Sequence, residues 1–370
     1  MATLEAIKVL SPYAGLPRRQ FWRSGVMESS PIDPRGYYSK KFEIAESDNI
    51  VTAGSCFAQH ISRQLRSRGY NVLDVERAPK SLPEPDRSNY GYGLYSARYG
   101  NIYTVRQLRQ LLEEASGLRV SPDPVWEARG RFYDSARPSV EPDGLDSMDE
   151  VLLHRKYHLE RVRQLFSECD LLVFTLGLTE TWRLTSTDWV FPTAPGTIAG
   201  QWDEGKYEFH NFSTSEILQD FSVVQALIQG LRGAGRPTKY LLTVSPVPLT
   251  ASYVPQHVLV STSYSKSVLR AVAGELALQS DDIDYFPSFE IISNPWTRGV
   301  FYEANCRSVT PAGVSTVMKA FFAEHIFASD TRDNPNGVFG KVKCVSQDIS
   351  ALEESRCEEE LLSQFQRAGS

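Results

Sequence analysis

The chain has 370 residues, 41% of them hydrophobic and 23% charged, with a formal net charge of −6. That is the composition of a soluble globular protein with ample length for a buried core. The acidic balance argues against a nucleic acid or an anionic membrane surface as partner, and no run of about eighteen apolar residues offers a membrane span.

Residues 1–40 carry Pro12, Pro17, Pro31 and Pro34 among aromatic and basic residues and are expected to form an irregular arm ahead of a domain over 41–328. No apolar leader precedes it, so a reducing cytoplasm is the expected compartment. Asn49–Ala53 is a β-branched run ending at Gly54, and Ala58–Leu65 then carries apolar residues at helical spacing until Gly69. Residues 79–100 read as loop. A helix is expected around Thr104–Ala115, an excursion from the core over about 117–148, and a further helix over about 149–167. Leu171–Leu176 reads as a buried strand stopping at Gly177, with loop through Trp182. Then come a helix over 214–232, a strand Lys239–Val244, a helix Ser265–Gln279, a short strand Ile283–Phe286 and a last helix over 311–328. Residues 329–370 form a polar tail. Alternation of helices with continuous apolar strands predicts an α/β fold, with a mostly parallel sheet covered on both faces. Chemistry then belongs in the loops after the strands: Gly54–Phe57, Gly177–Trp182, Ser245–Thr250 and Pro287–Glu290.

The first of these loops carries the strongest signal. A residue on a tight strand-to-helix turn projects clear of the backbone, and the helix N-terminus behind it offers unpaired N–H groups and a positive dipole end. A Cys56 thiol placed there would ionise more readily, and an oxyanion beside it would meet ready donors. The plainer reading has Gly54 making a turn and Cys56 filling the core. The five cysteines (56, 169, 306, 344, 357) are odd in number and widely spaced without a CxxC pair, so neither a disulfide framework nor a zinc site is expected. No metal cluster and no nucleotide-binding loop is present in the sequence.

Gly54-Ser55-Cys56-Phe57-Ala58 resembles the motif that names the GSCFA family. VFTLGLTETW (173–182), LLTVSPVPLTAS (241–252), HVLVSTSYSKSVLR (257–270) and YFPSFEII (285–292) also look like family signatures. The resemblance spans roughly 10–328 and implies a bacterial protein similar to the SGNH, or GDSL-like, hydrolases and acyltransferases, with a flavodoxin-like three-layer α/β/α sandwich. Laid on their Gly-Asp-Ser turn, Cys56 takes the nucleophile position, with Ser55 as the alternative. The resemblance assigns the oxyanion hole to the nucleophile's own N–H, to a loop glycine (Gly91 or Gly93) and to Thr179 where the relatives carry Asn. A Thr179 that caps a following helix is the competing reading.

The chain departs from the pattern at the base. Where the SGNH enzymes have Asp-x-x-His, Asn305 and Ser308 stand. Of the six histidines, His257 and His60 are the substitutes: the first lies between two family-like segments, the second is one helical turn beyond Cys56. Glu180 would serve as a helix-end charge, a partner for histidine or a substrate contact. Arg98, Tyr99 and Asn101 would line a sugar or anionic-substrate cleft, or simply pack a loop, and Lys266 reads as a solvated or binding lysine. The expectation is an acyltransferase or esterase acting on an acyl ester of a carbohydrate or related small molecule. It holds no bound cofactor and takes acyl groups from CoA or a carrier protein. The competing expectation is a catalytically silent domain that binds a glycan or a partner protein.

Overall fold

A computed structural model describes residues 11–233, 235, 237–325 and 358–365. In chain order the elements are β1 (Ile50–Gly54), α1 (Phe57–Ser67), α2 (Glu84–Arg87), α3 (Val105–Ala115), β2 (Val125–Ala128), β3 (Arg131–Asp134), α4 (Met148–Ser167), β4 (Leu171–Leu176), β5 (Glu180–Leu184), β6 (Val190–Phe191), β7 (Tyr207–Asn211), α5 (Thr214–Arg232), β8 (Lys239–Val244), α6 (Val258–Gln279), β9 (Ile283–Tyr285), α7 (Ser288–Ser293) and α8 (Pro311–Glu324).

The central sheet runs β1-β4-β8-β9, all parallel. Its strands are apolar on both faces, as a parallel sheet sandwiched between helices requires. Leu172, Phe174, Leu242 and Val244 face one layer, built from α3, α4, α5 and α6. Leu171, Val173 and Leu241 face the other, where α1, α7 and α8 supply Phe57, Ile61, Ile292, Val317 and Phe321. The result is the expected three-layer α/β/α sandwich. Val72 adds a single parallel bridge to Ile50 on the open side of β1. Counting that segment as a rudimentary second strand, the order is 2-1-3-4-5, and it reverses between β1 and β4. Ligands of doubly wound sheets bind in the crevice at that switch point.

Two features differ from the sequence reading. Residues 180–184 form a strand rather than loop, because Glu180–Leu184 pairs antiparallel with Tyr207–Asn211, a partner more than twenty residues away that no local pattern reveals. Helix α6 starts at Val258, seven residues early, where His257 caps it. The last helix stops at Glu324, and the expected tail lies almost entirely outside the described residues.

The excursion is a hairpin whose turn, Arg129-Gly130, takes positive φ at both positions (54° and 72°), the backbone that suits the twist of paired strands. Buried charges fasten it to the sandwich. Arg155 of α4 pairs with Glu114 of α3 and, at 2.7 Å, with Asp134 of β3, which also takes Arg137 at 2.8 Å. Beside them the fully buried His158 meets Glu76 at 2.7 Å. Burial lowers the His158 pKa to about 4. Burial alone would raise Glu76, but His158, Arg137 and the Arg98 backbone N–H hold it down to about 2.

Both groups titrate lower when folded than in the unfolded chain, whose ordinary values are 6.5 and 4.5. The unfolded chain therefore takes up more protons on acidification, and stability falls first between about pH 6.5 and 4 and then toward pH 2. Thermal unfolding followed from pH 7.5 to 4.5 should give a steadily falling midpoint, His158 alone contributing up to about 1.4 kcal/mol per pH unit. A flat profile across that range would contradict the neutral, buried His158.

Candidate active site

At the end of β1 the chain turns at Gly54, φ +135°. A Cβ there would lie 2.4 Å from the Thr175 carbonyl oxygen, so only glycine allows β1 and β4 to approach at this level. Ser55 N–H donates to that same carbonyl (3.1 Å), Ile102 N–H donates to Gly54 O (2.9 Å), and Cys56 opens α1. Gly177 repeats the device on β4: a Cβ there would lie 3.1 Å from Ser55 Cβ and from the Tyr103 backbone.

Ser55 and Cys56 thus point differently. Ser55 is wedged toward Gly177, 3% exposed, and its hydroxyl finds no protein partner. Cys56 packs with Tyr103, Leu178 and Leu249, residues from the loops at the C-terminal mouth of the sheet. Cys56 is itself buried, 4% exposed, and is the residue from which α1 starts.

The Gly177–Thr179 turn is held on every side. Gly177 and Leu178 N–H donate to Tyr103 O, Lys266 Nζ donates to Gly177 O at 2.6 Å, Thr179 N–H donates to Ser265 Oγ at 3.0 Å, and Phe212 N–H donates to Thr179 O. Only the Thr179 hydroxyl is left over, fully buried and without a protein partner, as is that of Thr175. Buried hydroxyls are nearly always paired, so these with Ser55 mark a place prepared for water or ligand oxygen.

The sequence-predicted residues separate on this frame. Thr179 is beside the turn but caps no helix, since β5 follows it. Lys266 is buried and braces Gly177, correcting its reading as a solvated side chain. Gly93 is excluded as an oxyanion donor: it is exposed, and its carbonyl receives Arg66, ten residues past Cys56 and so about 15 Å along α1. Gly91 ends a short 3-10 turn against Val140 in the same outlying loop. Arg98 is buried against Tyr90 O, Val140 O and Glu141, as loop packing requires. Tyr99 donates to Thr52 O and, with Asn101, lines a cavity shared with Gln107, Glu114, Arg137, Arg155 and His158, to which Cys56 does not contribute. Asn101 is the member of that segment near the turn: its Oδ1 accepts from the Tyr95 hydroxyl at 2.5 Å, and that hydroxyl lies 3.2 Å from Ser55 O.

His60 stands one turn beyond Cys56, its ring edge-on to Phe57 at 5.8 Å. Burial, with Arg63 nearby, lowers its pKa to about 4, so its imidazole is neutral near pH 7. His257 is exposed, and its Nδ1 accepts the Leu259 N–H as the cap of α6. Asn305 folds onto Ser308 (2.9 Å) in a turn docked at the mouth by Tyr302 to Pro246 O and Arg307 to Pro248 O. Glu180, half-buried and with its pKa raised by burial, accepts from Ser252 Oγ at 2.7 Å and from Tyr253 N–H.

The model of the GSCFA family matches residues 49–321, the whole of this frame from β1 into α8. The chain belongs to the GSCFA family. None of the curated proteins and none of the solved structures compared with it matches.

In this GSCFA chain the naming residues are the Gly54 turn and the first two positions of α1, and the rest of the site comes from side chains with no motif of their own. Sequence reasoning missed Tyr103 and Ser265 as supports of the Gly177–Thr179 turn. Ser265 and Lys266 serve by reaching two backbone groups of one turn. Among the described residues, no three His, Cys, Asp or Glu side chains gather as a metal ion would need, and no helix is long and apolar enough to cross a membrane.

Two substitutions one residue apart should behave oppositely. Gly54→Ala sets a methyl against backbone at positive φ and should cost at least about 3 kcal/mol. Ser55→Ala removes a hydroxyl that bonds to no protein atom and should change stability by less than about 0.5 kcal/mol. Urea unfolding measures both, and a Gly54→Ala protein as stable as the parent would refute the close approach.

Proposed function

We propose that this GSCFA protein is an acyl-transfer enzyme, an esterase or O-acyltransferase in which Cys56 is the nucleophile. The observation that carries the reading is the position of Cys56 at the start of α1, directly after β1, packed against Tyr103, Leu178 and Leu249 from the loops at the C-terminal end of the sheet. The 2-1-3-4-5 strand order and a nucleophile position directly after the first strand support the likeness to the SGNH enzymes.

The chemistry follows from the geometry. His60, neutral near pH 7 and one turn along α1, takes the thiol proton, and the helix end favours the thiolate. Sulfur attacks the acyl carbonyl carbon. The oxyanion of the tetrahedral adduct accepts from the Phe57 N–H that opens α1, since the Ala58 and Gln59 N–H groups already donate to Ser55 O and Cys56 O, and from the Thr179 hydroxyl. Collapse breaks the bond to the leaving group, an alkoxide or, from CoA or a carrier protein, a thiolate, which takes the proton back from His60. The thioester on Cys56 is then attacked by water or by an acceptor hydroxyl, whose proton passes to His60, and the thiol is released. Lys266 and Ser265 act as positioning residues by fixing the Gly177–Thr179 turn.

One observation favours a second reading, a silent binding domain. The Asn305–Ser308 turn reaches the mouth with neither the Asp nor the His that the SGNH enzymes use there.

Intact-mass spectrometry after incubation with p-nitrophenyl acetate and with acetyl-CoA should find one acyl adduct on Cys56. Cys56→Ala should lose it, with esterase activity falling about 10³-fold or more. Because His60 titrates near 4 rather than 6.5, acylation should persist to about pH 5, and His60→Ala should remove that acid-side plateau. An adduct on Ser55 would move the nucleophile by one residue. The absence of any adduct, with Cys56→Ala indistinguishable from the parent, would leave the binding domain.

A further inference from the structure

Beyond Thr179 the chain runs directly into an aromatic cluster that the acyl chemistry does not use. Trp182 of β5 is met edge-to-face by Trp202 (4.8 Å between centroids), Tyr253 (4.8 Å) and Phe209 (5.6 Å). The outer rings stay in solvent: Trp202 is 39% and Tyr253 62% exposed. Their mutual packing holds them rigid, so a ligand stacking on them would freeze few rotamers.

The ground between cluster and thiol is polar and incompletely bonded. Glu180 lies two residues from Trp182 on the same sheet face, opposite Asn211, whose Oδ1 is buried without a protein partner. Leu249 packs on Cys56, the next residue, Thr250, has a buried hydroxyl without a partner, and Ser252 and Tyr253 are tied to Glu180. Thr179, Thr250 and Asn211, on the segments that join the neighbours of Cys56 to the rings, each hold a buried oxygen without a protein partner. Among the described residues no basic side chain pairs with the Glu180 carboxylate. A phosphate or carboxylate would be repelled there, whereas hydroxyl groups could donate to it.

We infer that the cluster around Trp182 is the subsite for a neutral sugar, which stacks its C–H face on Trp202 and Tyr253 and directs a hydroxyl along the polar strip to Cys56. The sugar is the alcohol side of the ester in the acyl-transfer reading, and the inference rests on that reading for its role though not for binding.

Binding is measured on Cys56→Ala by tryptophan fluorescence and calorimetry, with chitotriose, cellotetraose and maltotetraose as probes and glucose 6-phosphate as the anionic comparison. At least one neutral oligosaccharide should bind and the phosphate should not. Trp202→Ala and Tyr253→Ala should each weaken binding about tenfold, and Trp202→Phe should recover most of the loss, which separates stacking from misfolding. Failure of all three neutral probes to bind, preference for the phosphate, or binding indifferent to Trp202 and Tyr253 would overturn the subsite. The outcome is independent of the adduct experiment, which uses esters carrying no sugar. A Cys56 adduct without sugar binding removes only the subsite, and sugar binding without an adduct removes only the chemistry.

Discussion

The site depends on the contact of two backbones at the ends of β1 and β4. Gly54 lies against the Thr175 carbonyl, closer than any side chain permits, and Gly177 lies against Ser55 and Tyr103, where a Cβ would be tight. Because the strands meet there, the chain leaving β1 cannot continue in the sheet and must turn at once into α1. The turn sets Ser55 against Gly177 and packs Cys56, equally buried, against Tyr103, Leu178 and Leu249 at the head of α1. Much of the remaining polar structure in this region serves to keep that contact in place. Lys266, Ser265 and Tyr103 clamp the β4 side, while Tyr95, Gln59 and Asn101 surround the Ser55 carbonyl.

This explains which parts of the molecule were legible in the sequence. Leu171–Leu176 and Lys239–Val244 read as buried strands because both faces of a sandwiched parallel sheet must be apolar, and that leaves an unbroken run. Gly54-Ser55-Cys56 was legible because a turn forced by close approach needs glycine at one position. The hidden features depend on partners distant in the chain. Glu180–Leu184 is a strand only because Tyr207–Asn211 lies beside it. Arg98 looked like a binding residue until Glu141 and the Val140 carbonyl, some forty residues on, were found to occupy its guanidinium. Lys266 looked solvated because an amphipathic period cannot tell a helix face that meets water from one that meets a backbone carbonyl.

Buried ion pairs fasten the helical layer: Arg155 and Arg137 share Asp134 at the excursion, and Arg106 and Arg109 of α3 share Asp220 of α5. Removing any one partner there would strand a charge in the interior. At the Gly177–Thr179 turn the charged group is the buried Lys266 ammonium, which donates to Gly177 O, among hydroxyls and backbone carbonyls. The Asn305–Ser308 turn fits this arrangement, since it closes the mouth near Pro246 and Pro248 without adding an ionised pair.

The side-chain hydroxyls of Ser55, Thr175 and Thr179 are buried without a protein partner. Their grouping follows from topology: Thr175 is the register partner of Gly54, Ser55 is the next residue, and Thr179 ends the clamped turn. All three lie where the strand order reverses, the one part of a doubly wound sheet where neighbouring loops diverge and leave a crevice. The aromatic cluster starts from the same end of the sheet: Cys56 follows β1, Trp182 follows β4, and Tyr253, which meets Trp182 edge-on, follows β8.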